Sequence, residues 1–311
     1  MKVLGNAGTL AAVFCLLCSV AGAADLYARR MEVVQTPEGQ VTVFRDSVRI
    51  VDGATRISAG LARFNESLGI AVVSDSVCIE DADTRVRADS AVYYLDGRES
   101  ELFGSVRVEL DSLAIDAPRL LYLVAERRVE ATAGMTITAL DRGFSVTGAQ
   151  GRYLMDSRVG EVDSLPVMVL NRGEVEDGGE PVKATARRMT WTGGDETALL
   201  AGEVRVGAGK SALTADSLRY WTRADTGLAW GEPRIADSLS STEGDTIRLR
   251  VEDGELRGVT VSGRARGHYS SGMNEIGVAG GGISIRLEQG ELDRIEVVAM
   301  TRGWLVNRGA E

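Results

Sequence analysis

Apolar and polar residues alternate along almost the whole chain. Runs such as SVRVEL (105–110), MTITAL (135–140) and TIRLRV (246–251) place apolar side chains at every second position. After the first two dozen residues, no stretch keeps apolar residues at the spacing of an amphipathic helix for three turns. Gly, Asp, Asn and Ser interrupt the runs at short intervals. The pattern predicts an all-β protein with almost no helix.

The alternating runs recur with a period of 29 residues. One set with this spacing is Val48, Val77, Val106 and Met135, and a second set two positions later is Ile50, Ile79, Val108 and Ile137. Aromatic residues keep a similar phase at Phe64, Tyr93, Tyr122, Tyr153, Trp191 and Tyr220. Segments 87–108 and 214–235 superpose without a gap. Such self-similarity predicts stacked structural units.

Each unit is too long for one strand, since a fully extended chain of this length would reach about 100 Å at roughly 3.3 Å per residue. We therefore expect about four short strands per unit, joined by corners. Because alternate side chains of a strand share a face, period-related residues are predicted to line one apolar interior. The pattern predicts an all-β fold of stacked repeats with a continuous apolar lining. The candidates for this lining are Val48, Ile50, Phe64, Val77, Ile79, Tyr93, Leu102, Val106, Val108, Tyr122, Met135, Ile137, Val204, Val206 and Tyr220.

Small residues occupy the inward positions expected on the fourth strand of each unit. They are Ala71, Ser100, Ala131, Ala198, Gly227 and Ala229. One interpretation is that they leave room for a ligand. The other is that they let strands pack closely in a filled core, and the pattern alone does not choose between an open and a filled trough.

The N-terminus is predicted to be a cleaved signal peptide, residues 1–23, because Lys2 precedes a short apolar run that ends in an A-x-A site. Residues 24–311 form one repeat domain. The acidic, Gly-rich segment 171–183 is a protruding loop or, alternatively, a sub-domain break. Only Cys78 lies outside the leader, so no internal disulfide is expected, and Cys78 is interpreted as a partly exposed strand residue.

The formal net charge of −10 argues against nucleic acid as a partner. Asp89, Asp116 and Asp216 are the candidate catalytic carboxylates of a polysaccharide-acting enzyme. They recur in short turn motifs that are expected to face outward, and they have no expected local partner. This favours a role in which each aspartate makes hydrogen bonds at a corner. His268 is the only histidine, so triads and His-rich zinc sites are not expected. We predict no enzyme activity, no cofactor and no metal.

Three short motifs follow one another along the chain, and together they resemble a known family. They are G-x-V-x-V, then (T/R)ADS-x-x-Y, then apolar residues followed by Gly at 102–104, 200–202 and 229–231. The set is similar to the OstA-like periplasmic domain of lipopolysaccharide-transport proteins, the group of LptA, LptC and the N-terminal domain of LptD. The likeness spans roughly residues 25–303. The resemblance implies a periplasmic folded-over β-jellyroll, a stacked-repeat, solenoid-like trough or "β-taco". Its apolar trough, lined by the lipid-binding candidates named above, would carry lipopolysaccharide acyl chains, and its modules would join edge to edge.

The sequence therefore predicts an exported, non-enzymatic protein of the periplasm, or one associated with the outer membrane. It would bind the acyl chains of lipopolysaccharide or a similar glycolipid and assist transport of that lipid to the outer membrane. Expected partners are the glycolipid and, through edge-to-edge association, related transport components or a second copy. The alternatives are a structural or adhesive β-solenoid without lipid binding and, third, a polysaccharide-acting enzyme.

Overall fold

The computed structural model describes residues 25–52, 54–81, 84–94, 99–110, 113–123, 125–140, 143–170, 181–193, 196–252, 255–270, 274–288 and 291–307. The predicted signal peptide and most of the predicted 171–183 loop lie outside these residues. No helix occurs in the described ranges, which confirms the all-β prediction. Accordingly, this part of the chain has no helix long and apolar enough to cross a membrane.

The chain divides into two compact units, residues 1–162 and 163–311. The strands of the first unit are β1 (Asp25–Tyr27), β2 (Arg30–Thr36), β3 (Gly39–Asp52), β4 (Thr55–Asn65), β5 (Ile70–Asp81), β6 (Thr84–Tyr94), β7 (Glu99–Leu110), β8 (Leu113–Leu123), β9 (Arg128–Ala131), β10 (Met135–Ala139), β11 (Phe144–Gly148), β12 (Gln150–Leu154) and β13 (Val159–Asp163), whose last residue belongs to the second unit.

The remaining strands belong to the second unit. They are β14 (Val167–Leu170), β15 (Val182–Thr185), β16 (Arg188–Thr192), β17 (Thr197–Ala208), β18 (Ser211–Trp221), β19 (Thr226–Trp230), β20 (Arg234–Ala236), β21 (Ser240–Glu243), β22 (Thr246–Glu252), β23 (Glu255–Ser270), β24 (Asn274–Glu288) and β25 (Glu291–Asn307). In both units the long strands pair with their sequence neighbours and run antiparallel.

In the first unit the cross-strand pairing of each long strand is interrupted once, near the middle of the strand. Between β3 and β4 the register shifts so that Asp46 and Ser47 oppose the single residue Gly60. This two-against-one count is a β-bulge, which bends the strand. The same arrangement recurs at 29-residue steps, where residues 75–76 oppose Asp89 and residues 104–105 oppose Pro118. Pro is tolerated there because an unpaired position needs no N–H.

The bends have a shared backbone conformation. Both residues on the longer side of the bulge have positive φ, as at Asp75 (67°), Ser76 (64°), Gly104 (73°) and Ser105 (45°). In the second unit Gly202 and Glu203, Gly231 and Glu232, and Gly263 and Arg264 do the same. Gly, Asp and Ser recur at these positions because the left-handed region costs them less than it costs β-branched residues.

Aspartates cover the glycines of these bends. A Cβ added to Gly104 would lie 2.0 Å from Oδ2 of Asp89, and one added to Gly231 would lie 2.5 Å from Cβ of Asp216. The backbone N–H of Asp216 also donates to the carbonyl of Gly231 at 2.9 Å. The recurring ADS motif and the recurring Gly therefore lie opposite each other at the same bend.

The bends divide the first unit into two arms. We call residues 39–45, 61–65, 70–74, 90–94, 99–103, 119–123, 128–131 and 150–154 the aromatic arm, and residues 48–52, 55–59, 77–81, 84–88, 106–110, 113–117, 135–139 and 144–148 the aliphatic arm. Inward side chains of both arms are almost fully buried, as shown by Ile79 (0 %) and Tyr122 (0 %). A single exposed sheet could not achieve this, so the two arms cover each other.

The structure differs from the expectation of four short strands per unit. A 29-residue unit contains two strands of 11 or 12 residues, as in β5 and β6. Each is bent once, so the unit still has four straight segments. The corner is made inside a continuous strand by the bulge, a local backbone device that hydrophobic alternation alone does not reveal.

We predict that Gly104→Ala lowers the free energy of unfolding by about 2 kcal/mol, because the new Cβ would require a strained left-handed alanine and would collide with Asp89. Urea denaturation of the full chain measures the change. Gly207→Ala is the matched control, since nothing lies within 4 Å of its added Cβ. Equal midpoints for Gly104→Ala and the unsubstituted protein would contradict the proposed corner.

Candidate functional site

The aliphatic arm of the first unit carries an unbroken apolar row. Direct cross-strand pairs join its members in the order Leu26, Ile50, Ile57, Ile79, Val86, Val108, Ile115, Ile137 and Val146. From Ile50 to Val146 no member is more than 6 % exposed. The row therefore crosses strands β1, β3–β8, β10 and β11 as one continuous apolar surface, which we call the aliphatic row.

The aromatic arm carries a second inward row, in which aromatic and smaller residues alternate. Its order is Thr42, Phe64, Ala71, Tyr93, Ser100, Tyr122, Val129 and Tyr153. We call this the aromatic row. Tyr93 and Tyr122 are 1 % and 0 % exposed, and Ser100 between them is 1 % exposed. The rings therefore close the space that their small neighbours leave.

The second unit contains a similar alternation. Ala198 pairs with both Trp191 and Tyr220, and Tyr220 pairs in turn with Gly227. Here the ring is less enclosed: Tyr220 is partly exposed, and its hydroxyl donates to the carboxylate of Asp225 at 2.9 Å. Burial raises the pKa of the Tyr220 phenol, and the Asp225 contact adds to that shift.

Most predicted lining residues are inside their unit. Phe64, Val206 and Tyr220 are partly exposed. The other twelve are buried: Val48, Ile50, Val77, Ile79, Tyr93, Leu102, Val106, Val108, Tyr122, Met135, Ile137 and Val204. Sequence reasoning named Val204 but missed other members of the core of the second unit, among them Leu200, Ile247, Val261 and Ile283, which are at most 2 % exposed. Their period-two alternation was the available signal, because the 29-residue phase is interrupted before them.

Four of the six small inward residues, Ala71, Ser100, Ala198 and Gly227, pair with aromatic residues, whereas Ala131 pairs with Gly151 and Ala229 with Leu218 and Ile247. Ala71 lies between Phe64 and Tyr93, and Ser100 lies between Tyr93 and Tyr122. Of the two interpretations of these residues, the described conformation of the first unit corresponds to the filled interior.

The end layers of the inward rows are uncovered. At the start of the first unit Leu26, Met31 and Val33 are 40 %, 61 % and 51 % exposed. At the end of the second unit Ile295 and Met300, on β25, are 44 % and 63 % exposed. Among the described pairings, β25 bonds only to β24. Each unit therefore has a terminal apolar layer, and β25 offers backbone groups to a further strand.

The outer face of the aliphatic arm is charged. Nη1 of Arg107 donates to both carboxylate oxygens of Asp116 at 2.9 Å, and its Nε donates to Glu109 at 2.8 Å. The hydrogen bond from Arg107 lowers the pKa of the Glu109 carboxyl. The expectation that Asp116 has no local partner was therefore wrong: the register places Arg107 directly opposite it.

The other candidate carboxylates do not assemble a site. Asp89 and Asp216 lie over corner glycines in separate units. His268 contacts Trp304, with ring centroids 6.0 Å apart. Within the described residues, no cluster of three or more His, Cys, Asp or Glu side chains could hold a metal ion. Cys78 lies partly exposed in β5, as predicted.

Part of the chain is similar in structure to a known protein. No protein-family model and no curated protein match the chain. Among solved structures, the chain is similar to LptH of Pseudomonas aeruginosa, described as the LptA-homologous periplasmic component of the conserved lipopolysaccharide transport device. The TM-score is 0.30 at 13 % identity, over 34 % of this chain and 80 % of that chain.

Burial of the aromatic row predicts a dependence of stability on alkaline pH. Burial raises the pKa of Tyr93 above its ordinary value of 10.0. Above about pH 10 the unfolded chain loses this proton while the folded chain keeps it, so the free energy of unfolding falls by about 1.4 kcal/mol per pH unit for this group. Below pH 10 the group contributes no slope.

We therefore expect Tyr93→Phe to make the decline above pH 10 shallower, as measured by urea titrations between pH 9 and about 11.5. Tyr27→Phe is the control, because Tyr27 is 57 % exposed. If both variants followed the same pH dependence as the unsubstituted protein, Tyr93 would not be enclosed as described.

Proposed function

We propose that this chain is an exported, non-enzymatic protein of the periplasm that binds the acyl chains of lipopolysaccharide or a similar glycolipid. It would hold these chains between its two arms and assist their transport to the outer membrane. The observation that carries the proposal is the unbroken inward apolar surface of the first unit, which ends in the exposed layer of Leu26, Met31 and Val33.

The energetics of such a surface suit an acyl ligand. Burial of alkyl chain contributes about 0.8 kcal/mol per methylene, so a long apolar row can hold a multi-acyl lipid without a catalytic group. The row has no charged member from Leu26 to Val146, whereas the outer face of the same arm carries paired Arg and Glu or Asp side chains. The proposal thus places the acyl chain against this uncharged row and the charged outer face in water.

The leader-like sequence of residues 1–23 supports export, and the exposed terminal strands support assembly with related transport components or with a second copy. Strand addition needs unpaired backbone groups and complementary side chains. On β25 these are flanked by the exposed apolar residues Ile295, Val298 and Met300.

A second candidate is a structural or adhesive β-solenoid that binds no lipid. It is favoured by one observation, the near-complete closure of the first unit, where Ile79, Val86 and Leu120 are 0 % exposed. In that case the inward rows would serve only to hold the repeats together, as in other solenoids.

Acyl binding is tested by displacement of a fluorescent fatty acid from the full chain. We predict saturable binding that Val108→Asp and Ile137→Asp reduce at least tenfold, because a buried carboxylate opposes an apolar ligand. Thr138→Asp, next to Ile137 but on the outer face, should bind as the unsubstituted protein does. Circular dichroism checks each variant for folding, and the absence of binding by the folded, unsubstituted protein would favour the solenoid.

Edge association is tested by sedimentation at increasing concentration. We predict reversible self-association that Met300→Lys weakens about tenfold, since a lysine on an edge strand opposes strand addition. Met300 is 63 % exposed, so the folded protein should tolerate the change. Arg302→Lys keeps the charge of the same strand and serves as control. A monomer at every concentration, with no complex on mixing with related transport components, would contradict this part of the proposal.

A further inference from the structure

We infer that a second copy of this chain packs on the outer face of the aromatic arm, with the two sheets face to face and a two-fold axis between β5 and β6. The proposed function does not use this surface. The inference is therefore independent of acyl binding and of association through β25.

The outer face of the aromatic arm is apolar at its centre, unlike that of the aliphatic arm. Its strands carry four apolar residues in succession, as in IAVV (70–73), AVYY (91–94) and LLYL (120–123). Strands of the aliphatic arm alternate instead, as in RVRA (85–88) and VRVE (106–109). Continuous apolar runs are typical of strands that are covered on both faces. The partly exposed members of this outer apolar patch are Leu61, Ile70, Val72, Val92, Tyr94, Phe103, Leu121 and Leu123.

One charged residue of each sign lies in the central row of this face. Arg63 is exposed, has an apolar neighbour on each side, and is paired with no carboxylate among the described residues. Glu101 also lies between apolar neighbours, and its carboxylate accepts a hydrogen bond from Nη2 of Arg119. A carboxylate can accept further donors. Direct cross-strand pairs give the row, from β3 to β8, as Val43, Arg63, Val72, Val92, Glu101 and Leu121.

This order is complementary to itself about one two-fold axis. An axis parallel to the strands and midway between β5 and β6 places β5 over the partner's β6 and β4 over the partner's β7. Arg63 then faces the partner's Glu101, and symmetry repeats the contact, as in any isologous interface. An axis perpendicular to the strands would place Arg63 against the partner's Arg63, and an axis centred on β5 would place it against the partner's Val92. Charge complementarity therefore selects one arrangement.

The rows on either side fit the same axis. Ile70 and Tyr94 are paired on β5 and β6, so each would face the other in the second copy. Towards the bends, Leu61 would face the partner's Phe103, because β4 lies over β7. Apolar side chains thus meet apolar ones in all three rows. Two sheets with nearly aligned strands pack in this way in β-sandwiches.

The size of the patch limits the strength of the dimer. At a strand spacing of about 4.8 Å and a rise of about 3.3 Å per residue, β3–β8 present a face of roughly 29 Å by 17 Å, or about 500 Å². A standard interface buries about 800 Å² per partner. At the edge of the patch Arg45 would face the partner's Arg119, although each is paired within its own chain, with Glu32 and Glu101. We expect a reversible dimer with a Kd of about 10 μM.

The test is sedimentation of the full chain carrying Met300→Lys, a background in which association through β25 is weakened. We expect Arg63→Glu and Glu101→Arg each to weaken dimerisation at least tenfold, since each places like charges in contact. An equimolar mixture of the two variants should dimerise as strongly as the background protein, because every contact again joins opposite charges. Arg87→Glu is the matched control: it changes the net charge equally, on the outer face of the aliphatic arm, and should leave dimerisation unchanged.

Circular dichroism checks each variant for folding. If Glu101→Arg does not fold, Val92→Glu at the centre of the patch should weaken dimerisation as Arg63→Glu does. A monomer at every concentration, a dimer that Arg63→Glu leaves intact, or a mixture of the two variants that stays monomeric would overturn the inference. Flotation of a monomeric protein with phosphatidylglycerol vesicles, weakened by Arg63→Glu, would assign the patch to a lipid surface and also overturn it. Acyl binding is measured separately, so the proposed function stands or falls on its own test.

Discussion

The bend in each strand is the constraint on which the first unit depends. Two residues in the left-handed region oppose one residue of the neighbouring strand, and the same bulge recurs at the same height in every second strand, β3, β5 and β7. Because the bulges are aligned, all strands fold over along one line. The inward faces of the two arms then cover each other, which is why Ile79 and Tyr122 lose contact with water. Without the bends the same alternation would give a flat sheet with an exposed apolar face.

Much of this arrangement follows from the sequence. Period-two alternation predicts the strands, and the 29-residue period predicts that Ile50 and Ile79 line one interior, which the aliphatic row confirms. The two residues do not stack directly on each other, because Ile57 of the intervening strand lies between them. The sequence analysis also predicted that Asp89 and Asp216 lie at corners, and both lie over the glycines of bends. These features are local, so a single sequence carries them: each depends on side-chain alternation or on the backbone preference of one or two residues.

Other features depended on tertiary context. The number of strands per unit was not predictable from alternation, because a bulge bends a strand without ending it. The partner of Asp116 was missed since Arg107 becomes its neighbour only through the β7–β8 register. The core of the second unit was only partly predicted because the insertion at 171–183 shifts the phase. Whether small residues leave room or pack against rings likewise required the register, which places Ala71 and Ser100 beside aromatic residues.

The two inward rows differ in a way that bears on function. A solenoid that needs only to hold its repeats together can fill every inward position with branched aliphatic residues, and the aliphatic row does so. The aromatic row instead alternates large and small side chains, with Tyr93 between Ala71 and Ser100. In the first unit this alternation fills the interior, since Tyr93 and Tyr122 are 1 % and 0 % exposed. In the second unit Tyr220 lies between Ala198 and Gly227 but stays partly exposed, and its hydroxyl donates to Asp225. Under the proposed function, an acyl chain held between the arms would therefore meet branched aliphatic side chains on one side and aromatic rings on the other.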